Sequence, residues 1–139
     1  MKLPPDVTFH EAHGLFVWKP RGILNEATIN KITAFVGEQE ATFGKPLYRF
    51  TDSQALDAID LNFRYVFDFA LFRRLSYAGR PPVKSAILVS SLTLAHYSKL
   101  HEMLTRGSSI KVCIFDEREA AAQWLGVPVE LLIIGPIGS

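Results

Sequence analysis

Apolar and polar positions along the chain form two kinds of pattern, one typical of strands and one typical of helices. Short runs rich in β-branched and aromatic residues predict strands, whereas apolar positions three or four residues apart predict helices. The strands predicted in this way cover residues 7–10, 15–20, 47–52, 84–90 and 110–115. The predicted helices cover residues 26–43, 61–77, 92–106 and 117–125. Residues 53–60 are expected to be a connection, and residues 129–134 a last short strand or a packed tail.

Polar residues and glycines at the predicted helix ends support these boundaries. Asn25 stands where an N-cap is needed before the first helix, and Gly44 is suited to end it. Ser91 is the predicted N-cap of the third helix. Asp116 and Glu119 have the spacing of a capping box, which predicts that the last helix begins directly after Asp116.

The order of the predicted elements is β β α β α β α β α. Strands that alternate with helices imply crossover connections and mostly parallel pairing, while a hairpin at residues 12–14 makes one pair antiparallel. We therefore expect a single α/β domain over residues 1–139. It should contain a mixed, mostly parallel β-sheet, an N-terminal hairpin and about four helices. Its core would cover about residues 7–126, with residues 127–139 as a C-terminal tail.

Composition narrows the function classes. The 139-residue chain is 48% hydrophobic and 21% charged, which is ordinary for a globular protein. A formal net charge of +1 gives no reason to expect a nucleic-acid partner. No apolar run approaches the length of a transmembrane segment, and no secretory signal is visible. Cys113 is the sole cysteine and is expected to be a small buried hydrophobe, so the composition fits a reducing cytoplasm.

The histidines offer little catalytic or metal-binding chemistry. His10 and His13 are three residues apart in hairpin sequence, which directs their side chains to opposite faces. His96 and His101 lie about 140° apart around one helix, so they are poorly placed to hold one ion, and His96 is expected to be partly buried in the core. We find no glycine-rich phosphate loop in the sequence and expect neither a metal nor a cofactor.

Two residues of the strand over residues 47–52 stand out. Asp52 lies at its carboxyl end, where open α/β sheets bind ligands, although capping of the next loop explains it more simply. Arg49 is a charged residue in an otherwise apolar strand, and its side chain could extend to the rim of the sheet or line a polar pocket. An enzyme that uses Asp52 and Asp116 is the alternative from another function class. That alternative lacks a base clustered with a nucleophile.

The helix over residues 61–77 carries apolar residues on two sides. One stripe suits packing on a sheet and consists of Phe63, Val66, Phe67, Ala70 and Leu71. A second, nearly opposite stripe consists of Tyr65, Phe69 and Phe72. A neighbouring helix or residues 131–134 could cover this aromatic stripe, as could a second subunit or an apolar ligand. These alternatives stay open, and because aromatic anchors often carry interface energy, we predict a homodimer that forms through the aromatic stripe.

Several segments resemble the SpoIIAA-like branch of the STAS superfamily. In the C-terminal third these are the two strands over residues 84–90 and 110–115, followed by an acidic cap, an Ala-rich turn and a Trp-Leu pair over residues 116–126. In the N-terminal half, the turn over residues 22–26 and the strand ending at Asp52 are similar to the same branch. The match covers about residues 12–126. The resemblance implies a mixed sheet with helices largely on one face.

The resemblance also implies a non-catalytic binding or regulatory module that acts through protein contacts or a small apolar ligand. The branch is likened to lipid-transfer domains of the CRAL-TRIO type, so a lipid-like ligand is included. Better-known STAS members are anti-sigma-factor antagonists, which are switched by phosphorylation of a serine at the start of the helix after the central strand. The matching segment, residues 57–63, contains no serine, and Ser53 lies too early. A phosphorylation switch is therefore an alternative that lacks its motif residue.

Overall fold

Seven strands and five α-helices make up residues 3–133, the part of the chain that the computed structural model describes. The strands are β1 (Val7–His10), β2 (Leu15–Trp18), β3 (Gly22–Asn25), β4 (Tyr48–Asp52), β5 (Leu56–Asp60), β6 (Val83–Leu88) and β7 (Ile110–Phe115). The helices are α1 (Glu26–Phe43), α2 (Phe63–Ser76), α3 (Leu92–Thr105), α4 (Arg118–Leu125) and α5 (Glu130–Ile133). A 3₁₀ turn over Glu11–His13 joins the first two strands.

The main sheet has five strands in the order β1-β2-β4-β6-β7. β1 runs antiparallel to β2, as the hairpin requires, and the other neighbouring strands are parallel. β3 and β5 form a separate two-stranded parallel sheet. The predicted α/β fold with a mixed, mostly parallel sheet and an N-terminal hairpin is confirmed.

The prediction that residues 22–26 form a turn and residues 53–60 a connection is wrong, because they contain β3 and β5. Both strands are short, and β5 includes Asp57 and Asp60, which are exposed and belong to a residue type that is depleted in strands. β3 contributes a single buried side chain, Leu24. Neither strand therefore carries the apolar alternation from which strands are predicted.

Most of the predicted helix caps are found. Asn25 Oδ1 accepts a hydrogen bond from the Thr28 amide at 3.0 Å, and Ser91 Oγ accepts one from the Leu94 amide at 3.1 Å. The capping box at the last long helix is wrong. α4 begins at Arg118, and the residue at the N-cap position is Glu117, whose side chain makes no capping hydrogen bond. Asp116, the predicted cap, therefore stands one residue too early.

The C-terminal segment folds as a helix instead of the predicted strand. α5 begins soon after Pro128 and buries Leu132 completely, so the alternative of a packed tail describes it better. Ile134 and the rest of the predicted tail lie outside the described residues. None of the helices within residues 3–133 is both long and apolar enough to cross a membrane.

One face of the main sheet packs against α4 and α5. Alternate residues of the strands point to this face and meet small and branched side chains of the two helices. The buried residues of this cluster are Leu15, Val17, Phe50, Ala86, Leu88, Ala121, Ala122, Leu125 and Leu132. Trp124 is half-buried at its edge, where its ring lies 5.6 Å from that of Phe115.

The opposite face of the sheet carries α1, α2 and α3. Leu15 and Val17 belong to the cluster that packs against α4 and α5. Phe16, between them in the strand, points to the opposite face, toward Val36 and Phe35 of α1. The two central strands place Arg49, Thr51 and Ser85 on this side, one step out of phase with the buried apolar cluster. Small and polar side chains at the middle of the sheet leave space beneath the helices.

The prediction that His96 is partly buried is wrong. His96 is exposed, as are Leu92 and Met103, which are 74% and 54% exposed. The buried face of α3 is instead formed by Leu94, Ser98, His101 and Thr105. Three of these four residues are polar, which is why an apolar arc on the wheel points to the wrong side of the helix. Cys113 is half-buried, and burial raises the pKa of its thiol.

Candidate functional site

A cavity of about 140 Å³ lies between the main sheet and the helices α1, α2 and α3. We call it the central cavity. Leu24 of β3 and Leu56 of β5 line one side of it, so the small sheet helps to close the space. Its wall is largely apolar. Engineered apolar cavities of about this volume accept benzene, so the space suits one ring or a short chain.

The central cavity exists because small side chains occupy positions that large ones would fill. Thr51 and Ser85 stand on its floor in the two central strands, and Ser98 faces it from α3. A leucine at any of these positions would occupy much of the space. Ser85 and Ser98 are themselves buried, at 2% and 4% exposure, so they belong to the interior of the molecule.

Helix α2 contributes two of the predicted aromatic residues to the wall. Tyr65 and Phe69 line the cavity with their rings stacked, 5.9 Å apart between centroids and 7° from parallel. The Tyr65 hydroxyl donates a 2.7 Å hydrogen bond to Asn30 Oδ1. Burial, with the nearby charge of Glu26, raises the pKa of Tyr65 to about 12. Phe72 is 52% exposed and lies outside the described lining, so the structure separates it from the other two.

The prediction that one complete stripe of α2 packs on the sheet is wrong. Val66 and Ala70 are buried, but Phe63, Phe67 and Leu71 are about half exposed or more. The buried side of the helix is centred between the two predicted stripes. One row of apolar residues at four-residue spacing consequently faces outward; this outer face of α2 consists of Phe63, Phe67, Leu71 and Leu75.

Arg49 lines the cavity as part of a buried polar cluster. Its Nη2 donates to Glu40 Oε2 at 2.9 Å, and the Leu47 amide donates to the same oxygen at 2.8 Å. The Tyr77 hydroxyl donates to Glu40 Oε1 at 2.7 Å. Burial raises the pKa of Tyr77, while the charge of Arg49 acts against the rise. The charge of Arg49 is thus balanced by one carboxylate, whose oxygens are both engaged.

Arg73 of α2 also lines the cavity and is only 9% exposed. Its Nη1 lies 3.0 Å from His101 Nε2, and its guanidinium stands 4.7 Å from the centroid of the Phe69 ring. Burial lowers the pKa of Arg73 to about 9, with the charge of Arg49 acting in the same direction, so the guanidinium remains charged at neutral pH. Among residues 3–133, no carboxylate forms an ion pair with it.

The partner of Arg73 defines the state of His101. A guanidinium can only donate, so Nε2 of His101 accepts and its ring proton sits on Nδ1. Burial, reinforced by the charge of Arg73, lowers the pKa of His101 to about 3, which keeps the imidazole neutral. Within residues 3–133, Arg73 Nε and His101 Nδ1 are buried donors that have no hydrogen-bond partner. The ring of His101 stacks on Phe69 at 5.3 Å.

Neither Arg73 nor His101 was singled out as a site residue from the sequence. One signal was present: Arg73 stands seven residues after Val66 and three after Ala70, on the side of the helix that those residues bury. A charged residue on the side of a helix that packs into the interior predicts a buried polar contact. The same test applied to Leu94 and Ser98 of α3 points to His101.

Comparison with solved structures identifies the fold. A protein of the DUF3478 family from Shewanella loihica PV-4, described as uncharacterized and as having a SpoIIAA-like fold, matches with a TM-score of 0.55. The match covers 86% of this chain and 90% of that one, at 17% sequence identity. The fold of this chain is SpoIIAA-like. No protein-family model matches the chain, and no curated protein matches its sequence.

The SpoIIAA-like fold confirms the resemblance seen in the sequence, and at this identity it shows the fold alone. The start of α2 carries no serine in this SpoIIAA-like chain. Asn62 occupies the N-cap there, and its Oδ1 accepts a 2.8 Å hydrogen bond from the Tyr65 amide. The helix start is thus built around an amide side chain.

Asp52 lies apart from the pair formed by Arg73 and His101. Its Oδ1 accepts a hydrogen bond from the Gln54 amide at 3.0 Å, and its Oδ2 lies 2.8 Å from Arg118 Nη2. Both oxygens therefore hold the loop after β4 and the start of α4. Asp116 is exposed. Within residues 3–133, no three or more His, Cys, Asp or Glu residues are grouped so that they could hold a metal ion.

Proposed function

We propose that this protein binds a small apolar ligand in the central cavity and acts as a non-catalytic binding or regulatory module. The observation that carries the proposal is the cavity itself, a space of about 140 Å³ that aromatic side chains of α2 line. Aromatic and aliphatic walls with a few placed polar groups are characteristic of small-molecule sites. The likeness of the branch to lipid-transfer domains supports the same class of ligand.

The proposal is tested with toluene, a neutral ring of suitable size, by following the methyl resonances of the protein in solution. We expect saturable shifts in residues around the cavity of the wild-type protein. Ser98→Phe fills the space from α3 and should abolish the shifts, as should Thr33→Phe, which fills it from α1. His96→Phe is the matched control, because it adds a ring to the exposed side of α3. Toluene shifts that both filling variants retain, or that the wild type lacks, would refute the proposal.

We also propose that the protein forms a homodimer, because the outer face of α2 leaves four large apolar side chains in water. Phe63 and Leu75 at its ends are 66% and 70% exposed. An exposed apolar row of this kind marks an association surface, and two copies would meet about a two-fold axis. We place this dimer in the cytoplasm, which the single, unpaired Cys113 supports.

A further inference from the structure

We propose that the central cavity selects ligands in which a compact apolar body carries a carboxylate, and that Arg73 binds this carboxylate. The inference rests on the proposed function, since it names the chemistry of the ligand that the cavity takes. It comes from the buried guanidinium of Arg73 on the cavity wall, which an entirely apolar ligand would leave without an anion.

The first argument is charge. Two buried guanidinium groups, those of Arg49 and Arg73, line the cavity. The one buried carboxylate of the described cluster, Glu40, receives Arg49 and Tyr77, and Arg80 approaches it at 4.0 Å. Among the residues that the structure describes, no anion pairs with the remaining positive charge beside the cavity, that of Arg73. A buried charge is unfavourable unless it is paired, and a bound anion supplies the missing partner.

The second argument is hydrogen bonding. Two side chains that line the cavity carry buried donors, Arg73 Nε and His101 Nδ1, for which the described part of the chain supplies no partner. Unpaired buried donors are rare in native proteins. A ligand that satisfies them must offer acceptors. A carboxylate offers only acceptors, and its two oxygens match the planar fork of a guanidinium.

The third argument distinguishes a carboxylate from a phosphate. A carboxylate carries one negative charge, which the one unbalanced guanidinium neutralises. A phosphate monoester carries about 1.5 to 2 negative charges at neutral pH. One guanidinium could not neutralise them, so negative charge would remain in an apolar space. Phe69 lies against both Arg73 and His101, so its ring places an apolar surface next to the anion site. The volume limits the apolar body to one ring or a short chain.

The experiment is calorimetric titration at pH 7 with three probes of similar shape: benzoate, the neutral benzamide, and toluene. We expect wild-type protein to bind benzoate at least tenfold more tightly than benzamide. Arg73→Met should reduce benzoate affinity at least tenfold while leaving toluene affinity within about threefold. Arg73→Lys keeps the positive charge but lacks the planar guanidinium group. Its benzoate affinity should lie between those of the wild type and Arg73→Met. Arg64→Met is the matched control on the same helix, because its side chain is 86% exposed, and it should behave as wild type.

The outcomes separate this inference from the proposal on which it rests. Toluene binding with no preference for benzoate over benzamide overturns the carboxylate inference and leaves the proposed function standing. An unchanged preference in a folded Arg73→Met variant overturns it as well. If none of the three probes binds, the proposed function fails. Benzoate binding that Ser98→Phe does not reduce takes place outside the cavity and overturns the inference.

Discussion

The buried pair of Arg73 and His101 can be exchanged for apolar side chains of similar size, and we expect the exchange to stabilise the fold. The change is the double variant Arg73→Met with His101→Phe. Methionine follows the path of the arginine stem, and phenylalanine keeps the stacking of the His101 ring on Phe69. Both polar partners are removed together, so neither is left alone in the interior.

The magnitude follows from the burial of the guanidinium. At 1.36 kcal/mol for each pKa unit, a fall in the pKa of Arg73 from 12.5 to about 9 corresponds to about 5 kcal/mol against its charged form. The cation–π interaction of the Arg73 guanidinium with the face of Phe69 stabilises the charged form by up to about 2 kcal/mol. We therefore expect the double variant to gain about 1–4 kcal/mol in unfolding free energy, the range found when buried ionic groups are replaced by apolar ones.

The single variants give a sharper result, because the effect of His101→Phe should change sign. With Arg73 present, the phenylalanine removes the acceptor of a buried charged donor, and the loss is about 1.5–3 kcal/mol. In the Arg73→Met background it removes an imidazole whose Nε2 has no donor left, and we expect a gain. Such a reversal identifies the two side chains as one coupled unit.

Urea unfolding at pH 7, followed by far-UV circular dichroism, measures all four proteins. The slopes of unfolding free energy against urea must agree if the midpoints are to be compared. A double variant less stable than wild type, or a His101→Phe effect of the same sign in both backgrounds, would refute the reasoning, because Arg73 would then reach water or an anion of the protein. The stabilised double variant should also lose its preference for benzoate, because the proposed carboxylate site would have lost its guanidinium.

Three further predictions concern α4, His101 and the outer face of α2. Trp124→Ala should lower the unfolding free energy by about 2–3 kcal/mol, less than for a fully buried tryptophan, because Trp124 is half-buried; exposed Gln123→Ala is the control, and an unchanged urea midpoint would contradict the packing of α4. His101 has a folded pKa of about 3, below its unfolded value of 6.5, so its contribution is fully present above pH 6.5 and is lost as the pH falls toward 3. Between pH 7 and pH 5 wild type should therefore lose about 2 kcal/mol more than His101→Phe, and parallel pH profiles of the two proteins would show that the imidazole is not buried. Phe67→Asp and Leu71→Asp on the outer face of α2 should sediment as folded monomers, whereas Gln123→Asp, which places the same charge at an exposed position of α4, should remain dimeric; wild type that sediments as a monomer at micromolar concentration would eliminate the dimer.

The main sheet could be predicted because its signals are local. Leu15–Trp18 is a continuous apolar run, as expected of a strand with both faces covered, and Asn25 and Ser91 cap their helices with their own side chains. β3 and β5 were missed because their pairing joins segments more than thirty residues apart. Each strand alone buries too little to leave a pattern.

The candidate site was harder to predict because its residues break the pattern from which helices are oriented. A helical wheel assigns the apolar side of α2 to the interior, yet Arg73 lies on the buried side while Phe67 and Leu71 lie in water. α3 shows the same inversion, with His101 inside and Leu92 outside. Tyr65 and Phe69 stand out in the sequence as aromatic residues at four-residue spacing, but spacing alone does not predict that they line a cavity.

The inverted orientations of α2 and α3 have the same energetic consequence, and this consequence bears on function. A helix that buries a polar residue and exposes apolar ones gives up hydrophobic stabilisation on both sides, so the arrangement works against folding when the chain is considered alone. Local conflicts of this kind concentrate at functional sites, where a ligand or partner supplies what the chain lacks. Helix α2 has such a conflict on each side. An anion in the central cavity would relieve the inner one at Arg73, and a second subunit on Phe67 and Leu71 would relieve the outer one. The proposed ligand and the proposed second subunit would thus contact opposite sides of one helix.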